Sequence, residues 1–306
     1  MKELNYEKVF NTLVEETANY VTSNGLKAMV LGISGGIDST VVAAICHEVS
    51  KKTGIPLIGR SLPIKNKEDE FDVSKLVGEA FCDEFKVFNL SNSYKASLFD
   101  LCADAGLIKD CKGYDWYWLS DLEELAGRTP IANGNIQARC RMIHLYDIAS
   151  IRKGLVMSTD NQTEYQLGFW TIHGDVGDFD PIQDLWKTEV YRLARWICDY
   201  YTMMSDGEDV DKIQAIRESV ALTPTDGLGI SNSDLEQIGA RTYYDVDRVL
   251  QTLICKASPE NDKLQDSLEQ ELGREVVHKI IKRHTASEFK RKKAPIYITR
   301  EKYEND

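Results

Sequence analysis

The sequence predicts an α/β fold: a doubly wound, mainly parallel sheet with helices on both faces, continued by a helical C-terminal portion. Three observations lead there. Short apolar runs that read as buried strands alternate with helical segments, the first strand runs through a glycine-rich turn straight into an apolar helix, and the stretch beyond Pro181 has mostly helical periodicity. A chain of 306 residues fits a single domain spanning 1–306, because single cores stop growing near roughly 250 to 300 residues.

Residues 6–23 place Val9, Leu13, Thr17 and Val21 at helical spacing, and Ser23-Asn24-Gly25 supplies a stop. Residues 28–33 form a short continuous apolar run, as a strand buried on both faces should. A helix follows over 40–49, then a second strand over 56–62, a helix over 68–82 and a third strand over 86–90. Residues 106–128 break the alternation with an aromatic and acidic segment and read as an insertion. A long helix is expected over 133–149, with Ile136, Cys140 and Ile143 on one side, and a fourth strand over 154–158 delivers Thr159, Asp160 and Glu164. Another helix is expected over 185–200 and a flexible connection over 201–208. Residues 287–306 form a charged tail. Ligands of such sheets sit beyond the carboxyl ends of the strands.

Composition narrows the functional classes. A net charge of −12 disfavours a broad nucleic-acid surface. The longest apolar runs fall far short of the ~20 residues of a membrane span, and the acidic first twenty positions lack a secretory pattern. Seven cysteines without a C-x-x-C pair suggest neither a disulfide framework nor a zinc cage. A soluble, cytoplasmic protein is expected.

Gly32-Ile-Ser-Gly-Gly-Ile-Asp-Ser39 lies between a buried strand and a helix, the setting in which a glycine-rich loop binds phosphate. Gly35 and Gly36 let the backbone approach an anion, Ser34 and Ser39 offer hydroxyls, and the amides of Ile37 to Thr40 lie at a helix N-terminus. Asp38 would repel phosphate unless a cation stood between them, which points to magnesium. The alternative is a plain serine and glycine turn with Asp38 as a helix cap. The loop is neither a Walker A motif nor a Rossmann fingerprint.

The loop resembles the S-G-G-x-D-S pyrophosphate loop of the N-type ATP pyrophosphatases, and four further segments resemble the NAD synthetases among them. These are Gly134-Asn-Ile-Gln-Ala-Arg139-Cys-Arg141-Met, Ser158-Thr159-Asp160 through Glu164, Gly174-Asp175-Val-Gly-Asp178 with Asp180-Pro181-Ile182, and Lys187-Thr-Glu189-Val190, all in family order. The resemblance implies an adenine nucleotide α-hydrolase-like fold and a ligase that uses ATP to activate the carboxylate of deamido-NAD for amidation. It also implies free ammonia as nitrogen donor, no glutaminase domain in this chain, and a homodimer.

Residue by residue, it implies that Gly32, Ser34, Gly35, Gly36, Ile37 and Ser39 hold ATP phosphates, with Arg60, Thr159 and Thr225 also on ATP. Asp38 and Glu164 would bind Mg2+, and Lys187 would join Asp38 in catalysis. Arg139, Asp175, Asp178 and Lys290 would contact deamido-NAD. The chain departs from the family pattern where Ile172 stands for a lysine and Phe289 for a histidine, and the segment before Asp180 is about two residues short, so the match of Asp178 depends on the gap. A different carboxylate substrate, or a catalytically impaired nucleotide-binding homologue, are the competing readings.

Overall fold

The computed structural model describes residues 4–64, 68–107, 123, 127–204, 207–223, 233–254 and 260–291. Most of the expected insertion at 106–128, most of the tail at 287–306, and Thr225 lie outside the described residues.

Among the described residues four strands form one parallel sheet in the order β3-β2-β1-β4: β1 is Met29–Gly32, β2 Leu57–Ser61, β3 Glu84–Val87 and β4 Leu155–Met157. β1 is central and its residues are almost wholly shielded, which explains its unbroken apolar run. The edge strand β3 lies earlier than the expected 86–90. It is exposed, so its sequence carries no burial pattern to mark its ends, and Asp83 fixes its start by accepting from the Leu57 amide at 2.7 Å and the Ser50 hydroxyl at 2.7 Å.

Helices α1 (Tyr6–Ser23), α2 (Ile37–Thr53) and α3 (Glu68–Phe81) share one core with α7 (Lys187–Met204) and α8 (Val210–Ala221), built around Leu31, Val42, Ile45, Leu57, Val77 and Leu193. The opposite sheet face is covered by α4 (Ser91–Asp104) and α5 (Pro130–Arg152), with Val30, Ile58, Tyr94, Leu98 and Ile136 between them. Helix α4 is not among the helices that the sequence predicts. Ile143 of α5 lies on the same side of the helix as Ile136 and Cys140 but is 72% exposed, because in the second half of α5 the buried residues are Leu145 and Ala149, on the other side. Helix α7 runs on through Met204, so the connection expected at 201–208 is helical for its first half.

A short α6 (Gln162–Leu167) follows β4. The C-terminal portion is helical, as predicted: α9 (Asp234–Ile238), α10 (Tyr243–Ile254), α11 (Glu260–Leu272), α12 (Arg274–Ala286) and α13 (Glu288–Arg291). It packs on α6 through a separate cluster of Leu167, Val246, Leu250, Val277 and Ile280. That packing brings α12 and α13 to the carboxyl ends of the strands.

Candidate active site

Beyond β1 the chain turns at Gly35, whose φ of +88° favours glycine, and enters α2 at Ile37 with Gly36 as N-cap. The helix begins three residues earlier than expected. Thr40 N already donates to Gly36 O at 3.1 Å, so the first-turn amides that can meet an anion are those of Ile37, Asp38 and Ser39. Ser34 Oγ and Ser39 Oγ lie 3.0 Å apart, and Gly36 N donates to Ser34 Oγ at 3.2 Å. Thr40 also shares a buried 2.7 Å hydroxyl contact with Ser219, which ties the loop to α8.

Three segments bring charge to this loop. Asp38 stands in the first turn of α2, Glu164 in α6, and Lys187 opens α7. The Lys187 ammonium, only 2% exposed, donates to Asp38 and, at 2.9 Å, to Glu164 Oε1. Burial alone would lower its pKa, but the two carboxylates outweigh it and hold the ammonium well above the ordinary lysine range. Burial, reinforced by Asp38, pushes the Glu164 carboxyl up to about 7 against the pull of Lys187. Asn161 completes the group: its Nδ2 donates to Asp38 Oδ1 at 2.8 Å, while its Oδ1 caps α6 by accepting from Glu164 N at 3.1 Å.

A cavity of about 920 Å³ extends from the loop across the strand ends, and Gly32, Ser34, Gly36, Ile37, Asp38 and Ser39 line it together with Arg60, Thr159, Glu164 and Lys187. Arg60 is held by its own neighbour, Nη1 donating to Gly59 O at 2.7 Å, and burial lowers its pKa. At the far end the cavity is lined by Trp170, Asp175, Arg283 and Lys290. Lys290 donates to Gly168 O at 2.6 Å and to Trp170 O, with its ammonium 5.5 Å from the Trp170 ring centroid.

Two expected substrate contacts fall outside that lining. Arg139 is exposed and donates to Ile172 O at 3.0 Å, while the neighbouring Arg141, which lines the cavity, donates to Leu62 O at 3.0 Å. Asp178 is engaged in the sheet margin: its Oδ1 accepts from Tyr146 OH at 2.9 Å, its Oδ2 from Val156 N at 3.0 Å. Of the two acidic residues in that segment, Asp175 faces the cavity and Asp178 does not.

Asp160, for which the sequence motifs imply no role, also lines the cavity. Burial and the carboxylates of Asp175, Glu164 and Asp180 push its carboxyl well above the usual range. Its position after the fourth strand was the available signal.

A parallel sheet with a glycine-rich loop at the end of its central strand, and a lysine held between two carboxylates beside it, define a chain of the adenine nucleotide α-hydrolase-like class. The NAD synthase family model matches residues 9–294, and the chain belongs to that family. It is 30% identical over 292 residues to the NH(3)-dependent NAD(+) synthetase of Fusobacterium nucleatum, covering 95% of each chain. It is 28% identical to the glutamine-dependent NAD(+) synthetase of Aquifex aeolicus, of whose length it spans 45%. The NMN synthetase structure from Francisella tularensis superposes with a TM-score of 0.70 at 22% identity, over 97% of this chain and 100% of that one.

Proposed function

We propose that the chain amidates deamido-NAD with ammonia at the cost of ATP, forming NAD, AMP and pyrophosphate. A carboxylate oxygen of the nicotinate attacks the α-phosphorus and pyrophosphate leaves; the ammonia nitrogen then attacks the acyl carbon and AMP leaves. The observation that carries the reading is the single cavity joining the phosphate loop, the buried Lys187 ammonium and a far end formed by Trp170, Asp175 and Lys290. Such a site needs no covalent nucleophile, because holding two anionic nucleotides in line and offsetting the leaving charge do the work.

In this reading Ser34, Ser39 and the amides of Ile37 to Ser39 take the pyrophosphate, and Lys187 meets the negative charge that grows as it leaves. Arg60 and Thr159 line the ATP end. Thr225 remains an ATP contact on resemblance alone. Asp175 and Lys290 serve the deamido-NAD end, and Arg139 serves it from the rim.

Asp38 and Glu164 fit magnesium, since two carboxylates that converge on one cationic point, completed by substrate phosphates, are its usual protein share. Bound there, the ion would offset phosphate charge. A homodimer is part of the proposal, supported by the apolar side chains that α5 exposes, among them Ile143 and Ile151 at 72% and 71%.

The test is mass spectrometry of products from ATP, magnesium, ammonium and deamido-NAD. NAD, AMP and pyrophosphate in equal amounts are expected. Parallel reactions offer nicotinate mononucleotide, xanthosine monophosphate and aspartate; faster pyrophosphate release with any of these than with deamido-NAD would overturn the substrate assignment.

A further inference from the structure

We propose that Asp247, a residue of α10 outside the cavity lining, positions Glu164 and Lys187 against the phosphate loop by clamping the two helices that carry them. The inference rests on the reading that those two residues face bound ATP.

Asp247 is 0% exposed and lies beside the apolar cluster of the C-terminal portion, following the buried Val246 on the helix that also supplies Val249 and Leu250. An ionisable side chain there costs stability unless its oxygens are satisfied. They are, and the division between them is specific. Oδ1 accepts from Thr163 Oγ1 at 2.6 Å, the residue beside Glu164 in α6. Oδ2 accepts from Thr188 Oγ1 at 2.7 Å and from Thr188 N at 3.0 Å, the residue beside Lys187 in α7. The loop closes on itself, because Lys187 N donates to Thr163 Oγ1 at 2.9 Å. One carboxylate thus fixes the start of α7 to the first turn of α6.

Fold stability alone does not call for this arrangement. The contacting groups are two hydroxyls and an amide, all neutral, and buried polar networks are often replaceable by apolar packing without loss of stability. What the carboxylate supplies is registry: it sets where the Glu164 carboxylate and the Lys187 ammonium emerge, one residue along from each clamped threonine. It also places a negative charge at the N-terminus of α7, where the helix dipole favours it. A displacement of about 1 Å at reacting groups can cost on the order of a hundredfold in rate.

The experiment compares wild type with Asp247→Asn, Thr188→Val and Thr188→Ser for kcat, KM, magnesium-dependent ATP affinity by calorimetry, and thermal midpoint. Asp247→Asn and Thr188→Val are expected to lower kcat ~10- to 100-fold and weaken magnesium-dependent ATP binding, with KM for deamido-NAD changed by less than ~3-fold. Thr188→Ser, which keeps the hydroxyl, is expected to match wild type. Unchanged kcat in folded variants, or losses that only track the folded fraction, would overturn the assignment. If Asp247→Asn does not fold, the Thr188 pair decides. Should wild type bind ATP but not amidate deamido-NAD, the substrate reading falls and the ATP-affinity comparison alone rules on Asp247: equal affinities in Thr188→Val and Thr188→Ser overturn it.

Discussion

Lys187 carries a buried positive charge between two carboxylates, and its removal would leave Asp38 and Glu164 facing each other without the ammonium that now joins them. Lys187→Met is therefore expected to lower kcat by at least ~100-fold, as loss of a preorganised charge at a transition state does. Steady-state kinetics at saturating ATP measures this, and a variant within ~3-fold of wild type would remove Lys187 from the mechanism. Asp180 presents the opposite case. Its Oδ2 is buried without a hydrogen-bond partner among the described residues, and burial pushes its carboxyl up to about 7. The folded pKa lies above the unfolded value, so the contribution of Asp180 to stability is fully present below about pH 4 and is lost as pH rises through 7. Asp180→Asn should thus gain on wild type across that window, by about 1 kcal/mol or more at pH 8, with no such trend in thermal midpoints if the carboxylate is well solvated. Asp38, Glu164 and Lys187 were legible because each falls in a run of motifs in fixed order. Asn161 and Asp247 were not, since what makes them matter is a partner far along the chain: Asn161 reaches Asp38 across 123 positions, and Asp247 reaches Thr163 across 84.

At the scale of elements, α6 shows how a six-residue helix can place a charged group. Its N-cap, Asn161, forms a capping box with Glu164, accepting from the Glu164 amide while the Glu164 carboxylate accepts from the Asn161 amide at 3.3 Å. The same side chain donates to Asp38, so cap and phosphate loop are coupled. Asn161→Ala should cost ~1 kcal/mol of stability from the lost cap and should also weaken ATP binding. Asn161→Asp separates the two effects: an aspartate can cap, restoring stability in part, but it sets a carboxylate against Asp38 and should bind ATP less tightly than the alanine variant. Denaturant unfolding with calorimetry checks both, and equal ATP affinity for all three proteins would show that the link to Asp38 has no role in binding. Element boundaries were legible where burial marked them. Helix α1 spans the expected 6–23, and strands β1 and β2 fall one residue inside the expected 28–33 and 56–62 at each end. Edge strand β3 is solvent-exposed, and α4 buries just Tyr94, Leu98 and Cys102, too sparse a stripe to announce a helix.

For the whole molecule, the doubly wound sheet was legible from strand and helix alternation, whereas the docking of the C-terminal helices was not. Their cluster of Leu167, Val246, Leu250, Val277 and Ile280 draws on segments more than a hundred positions apart, and it is this packing that sets Arg283 and Lys290 at the far end of the cavity. Arg139 lies at the exposed rim of the same end, bonded to the carbonyl of Ile172. Its helix, α5, buries Ile136, Cys140, Leu145 and Ala149 against the sheet and turns Ile143, Tyr146 and Ile151 outward. Exposed isoleucines on the outer side of a helix that also packs on the sheet suit a second copy, packed helix to helix about a twofold axis. On that arrangement the rim carrying Arg139 lies near the subunit boundary, and dissociation should weaken the deamido-NAD end more than the ATP end. Ile143→Glu, a charge in place of the most exposed isoleucine of α5, is expected to yield a monomer by sedimentation velocity, with KM for deamido-NAD raised at least ~10-fold and ATP affinity nearly unchanged. A monomeric variant with wild-type KM for deamido-NAD would place the whole substrate site within one chain, and a wild-type protein that sediments as a monomer would leave the outward face of α5 without the partner assigned to it.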